Sequence, residues 1–84
     1  MKWFVYILRS QRDGKKYVGC TRDVAKRLDR HQRGAVRTTR NRAPFSLLRV
    51  EEFESRAEAF ARERFLKTWG GRIELGWILS HGRH

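Results

Sequence analysis

Two short β-prone runs, Trp3 to Arg9 (WFVYILR) and Lys16 to Cys20 (KYVGC), are joined by a polar segment that carries Asp13-Gly14. Asp-Gly between such runs is a strong hairpin signal, because both residues tolerate the positive φ that a type I′ turn requires. With an even number of residues in the turn, the numbers of paired positions add to an odd sum. An even-numbered residue of the first strand then shares a face with an odd-numbered residue of the second. Tyr6 and Tyr17 therefore stand on one face, with Gly19 between them. Two phenols beside a position without a side chain make a place where a ligand backbone can come close.

The first run is nearly continuous in β-branched and aromatic residues, the pattern of a strand buried on both faces. Thr21 is placed to cap a helix, Asp23 adds a favourable negative charge to its first turn, and Gly34 stops it after Arg33. Val24, Ala25 and Leu28 form a narrow apolar stripe on this helix. Arg27 and His31, four apart, lie on one face. Two readings follow: a pair looking towards the tyrosines, or a solvated basic helix with a surface histidine. The residues alone favour the solvated helix.

Gly34 to Pro44 has no hydrophobic periodicity and reads as a basic, hydroxyl-rich loop containing Arg37, Thr38, Thr39, Arg40, Asn41 and Arg42. Phe45 to Glu54 reads as a third strand. Ser55-x-x-Glu58 is a capping box that starts a helix at about Arg56, continuing to about Thr68. Ala57, Phe60, Ala61 and Phe65 line its expected buried face, helped by Leu66. Glu63 sits half-buried beside that stripe. It is either an ion-pair partner of Lys67, four residues on, or a carboxylate held near the sheet to bind a hard cation. Trp69-Gly70-Gly71 is expected to end the helix. Arg72 to Ser80 reads as a last short helix or turn whose Ile73, Trp77 and Ile78 close the core. The chain shows no internal repeat or domain boundary, so residues 1–84 read as a single domain.

Twenty Lys and Arg against nine acids give 84 residues a formal charge of +11. So large an excess on so small a domain is the footprint of a polyanion binder. Arg outnumbers Lys, which suits bidentate phosphate contacts. A membrane surface would want a basic helix with a broad apolar face, which no segment supplies. The candidate nucleic-acid contacts are Lys26, Arg30, Arg37, Thr39, Arg40, Arg42 and Lys67, together with Gly19. Contacts of this kind position a strand without selecting its sequence. The lone Cys20 forms no internal disulfide and points to a reducing, cytoplasmic setting. No Cys/His cluster has zinc spacing; His81 and His84 lie in a Gly/Arg-rich tail. Trp3 to Leu8 is too short for a signal-peptide core or a membrane span.

This order of elements, with two tyrosines on a hairpin, an arginine on the next helix and a glutamate on a later one, resembles the GIY-YIG nuclease family and its small stand-alone members. Phe4-Val5-Tyr6 and Tyr17-Val18-Gly19 stand where the family has its two triplets. Arg27 matches the family's helix arginine, His31 the histidine one turn later, and Glu63 the metal-binding glutamate. Three positions depart from the family pattern. Phe4 replaces the first glycine, Cys20 replaces a lysine found in many active relatives, and the last segment lacks an asparagine that several relatives carry.

The resemblance implies an α+β fold, a three-stranded, mostly antiparallel sheet flanked by helices (β-β-α-β-α-α). It implies metal-dependent phosphodiester hydrolysis, usually of DNA, with Mg²⁺ or Mn²⁺. On that footing Tyr6 is the general base with His31 assisting, Tyr17 positions the water or phosphate, Arg27 stabilises the pentavalent charge and Glu63 holds the metal. The basic surroundings are expected to favour the phenolate of Tyr6. The partner is DNA, single-stranded, duplex or branched, with a protein partner supplying any targeting. Two other classes are a nucleic-acid-binding module without catalysis, and an interaction subunit that exposes Trp3, Trp69 or Trp77 as an apolar patch.

Overall fold

The computed structural model describes residues 1–81, so His84 falls outside it. Strand β1 (Trp3–Ser10) pairs antiparallel with β2 (Lys16–Thr21), placing Tyr6 opposite Gly19 and Leu8 opposite Tyr17. Both tyrosines lie on one face, as the parity argument requires. The turn is not type I′, because Gly14 alone has positive φ (74°). Its N–H donates to the Ser10 carbonyl at 2.8 Å, and the Asp13 carboxylate accepts from the Lys15 N–H at 2.9 Å. The loop from Gln11 to Gly14 still has an even count, so the facing of the side chains is unchanged.

Strand β3 (Phe45–Phe53) adds to the other side of β1, antiparallel, giving the order β2-β1-β3. Its register shifts opposite Ile7 and Leu8: Arg49 pairs with Ile7 and Leu47 with Leu8. The extra residue, Leu48, is a β-bulge, and it reverses which face the following side chains address. Phe53 packs with Val5, Ile7 and Val18, whereas Phe45 joins Tyr6 and Leu8 on the opposite face.

Helix α1 (Val24–Gln32) covers the tyrosine face, and α2 (Arg56–Leu66) and α3 (Trp69–His81) cover the other. This is the expected β-β-α-β-α-α order, with a 3₁₀ turn over Arg37–Thr39 inside the basic loop. Thr21 does not cap α1; it ends β2, and Asp23 caps, accepting from the Lys26 N–H at 2.9 Å. Val24 and Leu28 pack inward while Ala25 is exposed. Gly34, at φ 73°, stops the helix.

Helix α2 uses a different face from the one expected. Ala59 and Leu66 are buried, whereas Ala57, Phe60, Ala61 and Phe65 are exposed. Polar pairing and close packing decide this. The inward face includes Arg62, whose guanidinium binds Glu51 of β3 at 2.8 Å and Glu74 of α3 at 3.1 Å. Arg49 also binds Glu51, at 2.8 Å. Burial by itself would raise the Glu51 pKa, but the hydrogen bonds from Arg62 and Arg49 outweigh it and lower the pKa. Phe65 and Phe60 lie under the guanidinium groups of Arg62 and Arg64.

Trp69-Gly70-Gly71 does not end α2, which stops at Leu66 with Lys67 as its cap; these residues begin α3. Gly71 is buried against the end of α2, where a β-carbon would strike the Phe65 carbonyl. Position 71 therefore faces inward, and Leu75 and Leu79, one and two turns on, follow it into the core. Ile73 and Trp77 consequently point out, at 59% and 61% exposure, and Trp69 is also exposed. Ile78 is partly buried. Among the described residues no helix is long and apolar enough to cross a membrane.

Candidate active site

The central strand buries Tyr6 almost completely. Its oxygen lies 3.0 Å from His31 Nε2. The other ring nitrogen of His31, Nδ1, lies 2.7 Å from Thr39 Oγ1. Histidine and threonine are both fully buried. His31 is thus not a surface residue of a solvated helix. Phe45, turned to this face by the bulge, packs edge-on against its ring at 5.7 Å. Gln32 fixes that strand end by exchanging hydrogen bonds with the Phe45 backbone, at 2.8 and 3.0 Å.

Tyr17 is half-buried. Its ring centroid lies 4.9 Å from that of His31 and 6.2 Å from that of Tyr6. The Lys67 ammonium stands 6.0 Å above the Tyr17 ring and binds Glu63 at 2.8 Å. Glu63 is 14% exposed at its side chain, half-buried as its sequence position suggests. Arg27 is half-buried on the α1 face that carries His31. The structure therefore gathers Tyr6, Tyr17, Arg27 and His31 on one face, with Glu63 reaching it through Lys67 and Tyr17.

Protonation follows from this burial. Tyr6 is pushed above the ordinary phenol range, first by burial and next by Tyr17, with Arg27 opposing and Glu63 adding to the rise. Burial therefore opposes the downward tuning expected from the basic surroundings: loss of hydration outweighs Arg27. His31 is pushed down by burial and then by Arg27 and Arg30. A neutral imidazole therefore faces a neutral phenol at neutral pH. Burial also raises the Cys20 thiol, as does Glu63, so position 20 carries a neutral group.

Lys26, Arg30, Arg37 and Arg40 are exposed, as phosphate contacts must be. Three other proposed contacts have different surroundings. Gly19 is buried, and any side chain there would strike the Tyr6 ring; it makes room for that ring rather than for a ligand. Thr39 faces His31 instead of solvent. Arg42 is half-buried and pins the loop to the hairpin through Asp13, at 3.1 Å. Thr39 and Phe45 are the site residues that sequence reasoning missed in these roles, and neither carries a periodic signal linking it to His31.

Among the described residues no group of three or more His, Cys, Asp and Glu side chains could hold a metal ion. The available donors are one carboxylate, Glu63, and the phenol oxygens. Hard oxygen ligands with few protein carboxylates fit Mg²⁺ or Mn²⁺, ions that complete their shells with water and substrate phosphate.

The profile of the GIY-YIG catalytic domain matches residues 2–75. The chain belongs to the GIY-YIG family. A UPF0213 protein of Nitratidesulfovibrio vulgaris is 50% identical over 81 residues, covering 95% of this chain and 73% of that one. A UPF0213 protein of Staphylococcus aureus is 39% identical over 76 residues, covering 89% and 92%. The solution NMR structure of a UPF0213 protein from Bacillus halodurans superposes with a TM-score of 0.59 at 35% identity, covering 98% of this chain and 87% of that one. The GIY-YIG domain is a nuclease domain, so a nuclease-like function acting on nucleic acid follows at that level.

Proposed function

We propose that this GIY-YIG protein is a divalent-metal-dependent endonuclease that hydrolyses phosphodiester bonds in DNA, guided by strand structure more than by base sequence. The observation that carries the reading is the buried Tyr6–His31–Thr39 chain, with Tyr17 packed against His31 and the charges of Arg27 and Glu63 both acting on Tyr6. Hydrolysis needs a nucleophilic water, neutralisation of charge on the phosphoryl group and a departing oxygen. Because Tyr6 rests protonated, it takes a proton from water only by giving up its own. His31 Nε2 lies within hydrogen-bond reach to receive it. In the productive tautomer, His31 Nδ1–H donates to Thr39 Oγ1, leaving Nε2 free as acceptor. Water oxygen bonds to phosphorus as the phosphorus–oxygen ester bond breaks, and the departing alkoxide takes its proton from solvent. Arg27 supplies a fixed cation for the charge that grows on the phosphoryl oxygens. Tyr17 orients the phosphate beside it. Glu63 would hold a Mg²⁺ or Mn²⁺ ion, which when bound neutralises phosphate charge and polarises the ester. Its partner Lys67 then turns to the strand.

The test is cleavage of end-labelled single-stranded, duplex and branched DNA in Mg²⁺, Mn²⁺ or EDTA. Metal-dependent cutting by wild type should fall about 10²–10³-fold or more in Arg27→Ala, the scale for losing one transition-state donor, and should be lost in Glu63→Ala. Both variants should still bind DNA. A folded wild type that binds DNA but cuts none of the three substrates in either metal would sink the nuclease reading and leave a binding module on this fold.

A further inference from the structure

Tyr17 has a second side. Beyond it lies a cleft of about 560 Å³ between the hairpin tip and α3. Four cations, Lys15, Lys16, Lys67 and Arg72, line it, and no carboxylate does so among the described residues. Val18, Leu66 and Leu75 form an apolar floor between these charges. The volume falls within the roughly 300–1,000 Å³ of sites that enclose a small ligand. Gly76 also borders the cleft, and a β-carbon there would meet no atom within 4 Å. An exposed glycine weakens a helix relative to alanine. Unlike Gly71, Gly76 returns no packing within the chain for that cost.

We infer that this cleft binds an unpaired nucleotide of the DNA strand that passes through the active site, next to the phosphate being cut. Paired bases in a duplex are stacked inside and offer a protein mainly phosphates and groove edges, for which an apolar floor has no use. An unpaired base offers an apolar face together with its phosphate, and this cleft matches both. Tyr17 and Lys67 connect the two sites: the Tyr17 ring centroid lies 4.9 Å from that of His31, and the same residue borders the cleft. The direction of the strand towards a scissile phosphate rests on the nuclease reading above; the binding of the nucleotide does not.

Fluorescence anisotropy in EDTA, where no cutting interferes, tests this with a labelled single-stranded oligonucleotide and a blunt duplex of the same length. The variants are the double substitution Lys15→Ala with Arg72→Ala, and Gly76→Leu, which fills the cleft without removing charge. Single-strand affinity should fall about 10-fold or more in both, with duplex affinity changing less than about twofold. In the double variant the slope of log K against log salt should shrink by about 1.4, at about 0.7 for each lost single-strand contact. Unchanged single-strand binding in both variants overturns the inference, and so does an equal loss for strand and duplex. Displacement of the oligonucleotide by a deoxynucleoside monophosphate near the oligonucleotide's own Kd overturns it in favour of a free nucleotide. Strand binding that depends on the cleft in a protein that never cuts DNA would retain the cleft and remove the nuclease reading. Metal-dependent cutting with strand binding indifferent to the cleft would do the reverse.

Discussion

Tyr6 and His31 show opposite consequences of the same burial. Loss of hydration favours the neutral form of each, which raises a phenol's pKa and lowers an imidazole's. If His31 accepts the Tyr6 proton, activity requires it neutral. The rate should then rise with pH along an acid limb lying below the ordinary histidine value of about 6.5, and hold level through neutrality. Arg30 contributes to the lowering, so Arg30→Gln should move that limb to higher pH. His31→Gln should cost about 10²–10⁴-fold in rate, the usual worth of a positioned proton acceptor. A pH–rate profile of kcat for the three proteins checks both, and an acid limb unmoved by Arg30→Gln would count against His31 as the acceptor. At this scale the sequence shows that His31 and Arg27 share a helix face. It does not show burial of His31, because Thr39 and Phe45 reach it from a loop and from a strand beyond a bulge.

At the scale of elements, each helix boundary or face that departed from expectation did so where a neighbour in space outweighed a local pattern. Phe60 and Phe65 make a plausible apolar stripe along α2, yet the helix lies on Ala59 and Leu66, with Arg62 held by Glu51 and Glu74. The sign of the Glu51 shift sets a pH dependence. A carboxyl lowered in the folded state contributes stability above its ordinary value of 4.5, and loses it as pH falls through the lower folded value. Arg62→Met should therefore destabilise the protein at pH 7 by about 1–3 kcal/mol, the cost of leaving a partly buried acceptor without its partner. The difference from wild type should shrink near pH 3. Thermal melts at the two pH values measure this, and an undiminished difference in acid would place the effect in packing alone.

For the molecule as a whole, the charge is +11, and the one carboxylate proposed to hold a metal, Glu63, is already paired with Lys67. Metal affinity should accordingly be weak in the free protein and become clear only when substrate phosphates complete the ion's shell. Titration calorimetry with Mn²⁺, with and without uncleavable DNA, checks this; tight stoichiometric binding by the free protein would contradict it. Local sequence was enough for the order of elements, the hairpin parity that sets Tyr6 and Tyr17 on one face, and the capping of α2 at Ser55. These depend on residues close together in the chain, where turn chemistry and periodicity act directly. Tertiary structure decided which faces of α2 and α3 are buried, the turn of Phe45 towards His31, the place of Thr39 and the cleft beside Tyr17. Each of these depends on contacts between distant segments, where polar pairing and close approach at a bulge or at Gly71 override the apolar pattern of either segment alone.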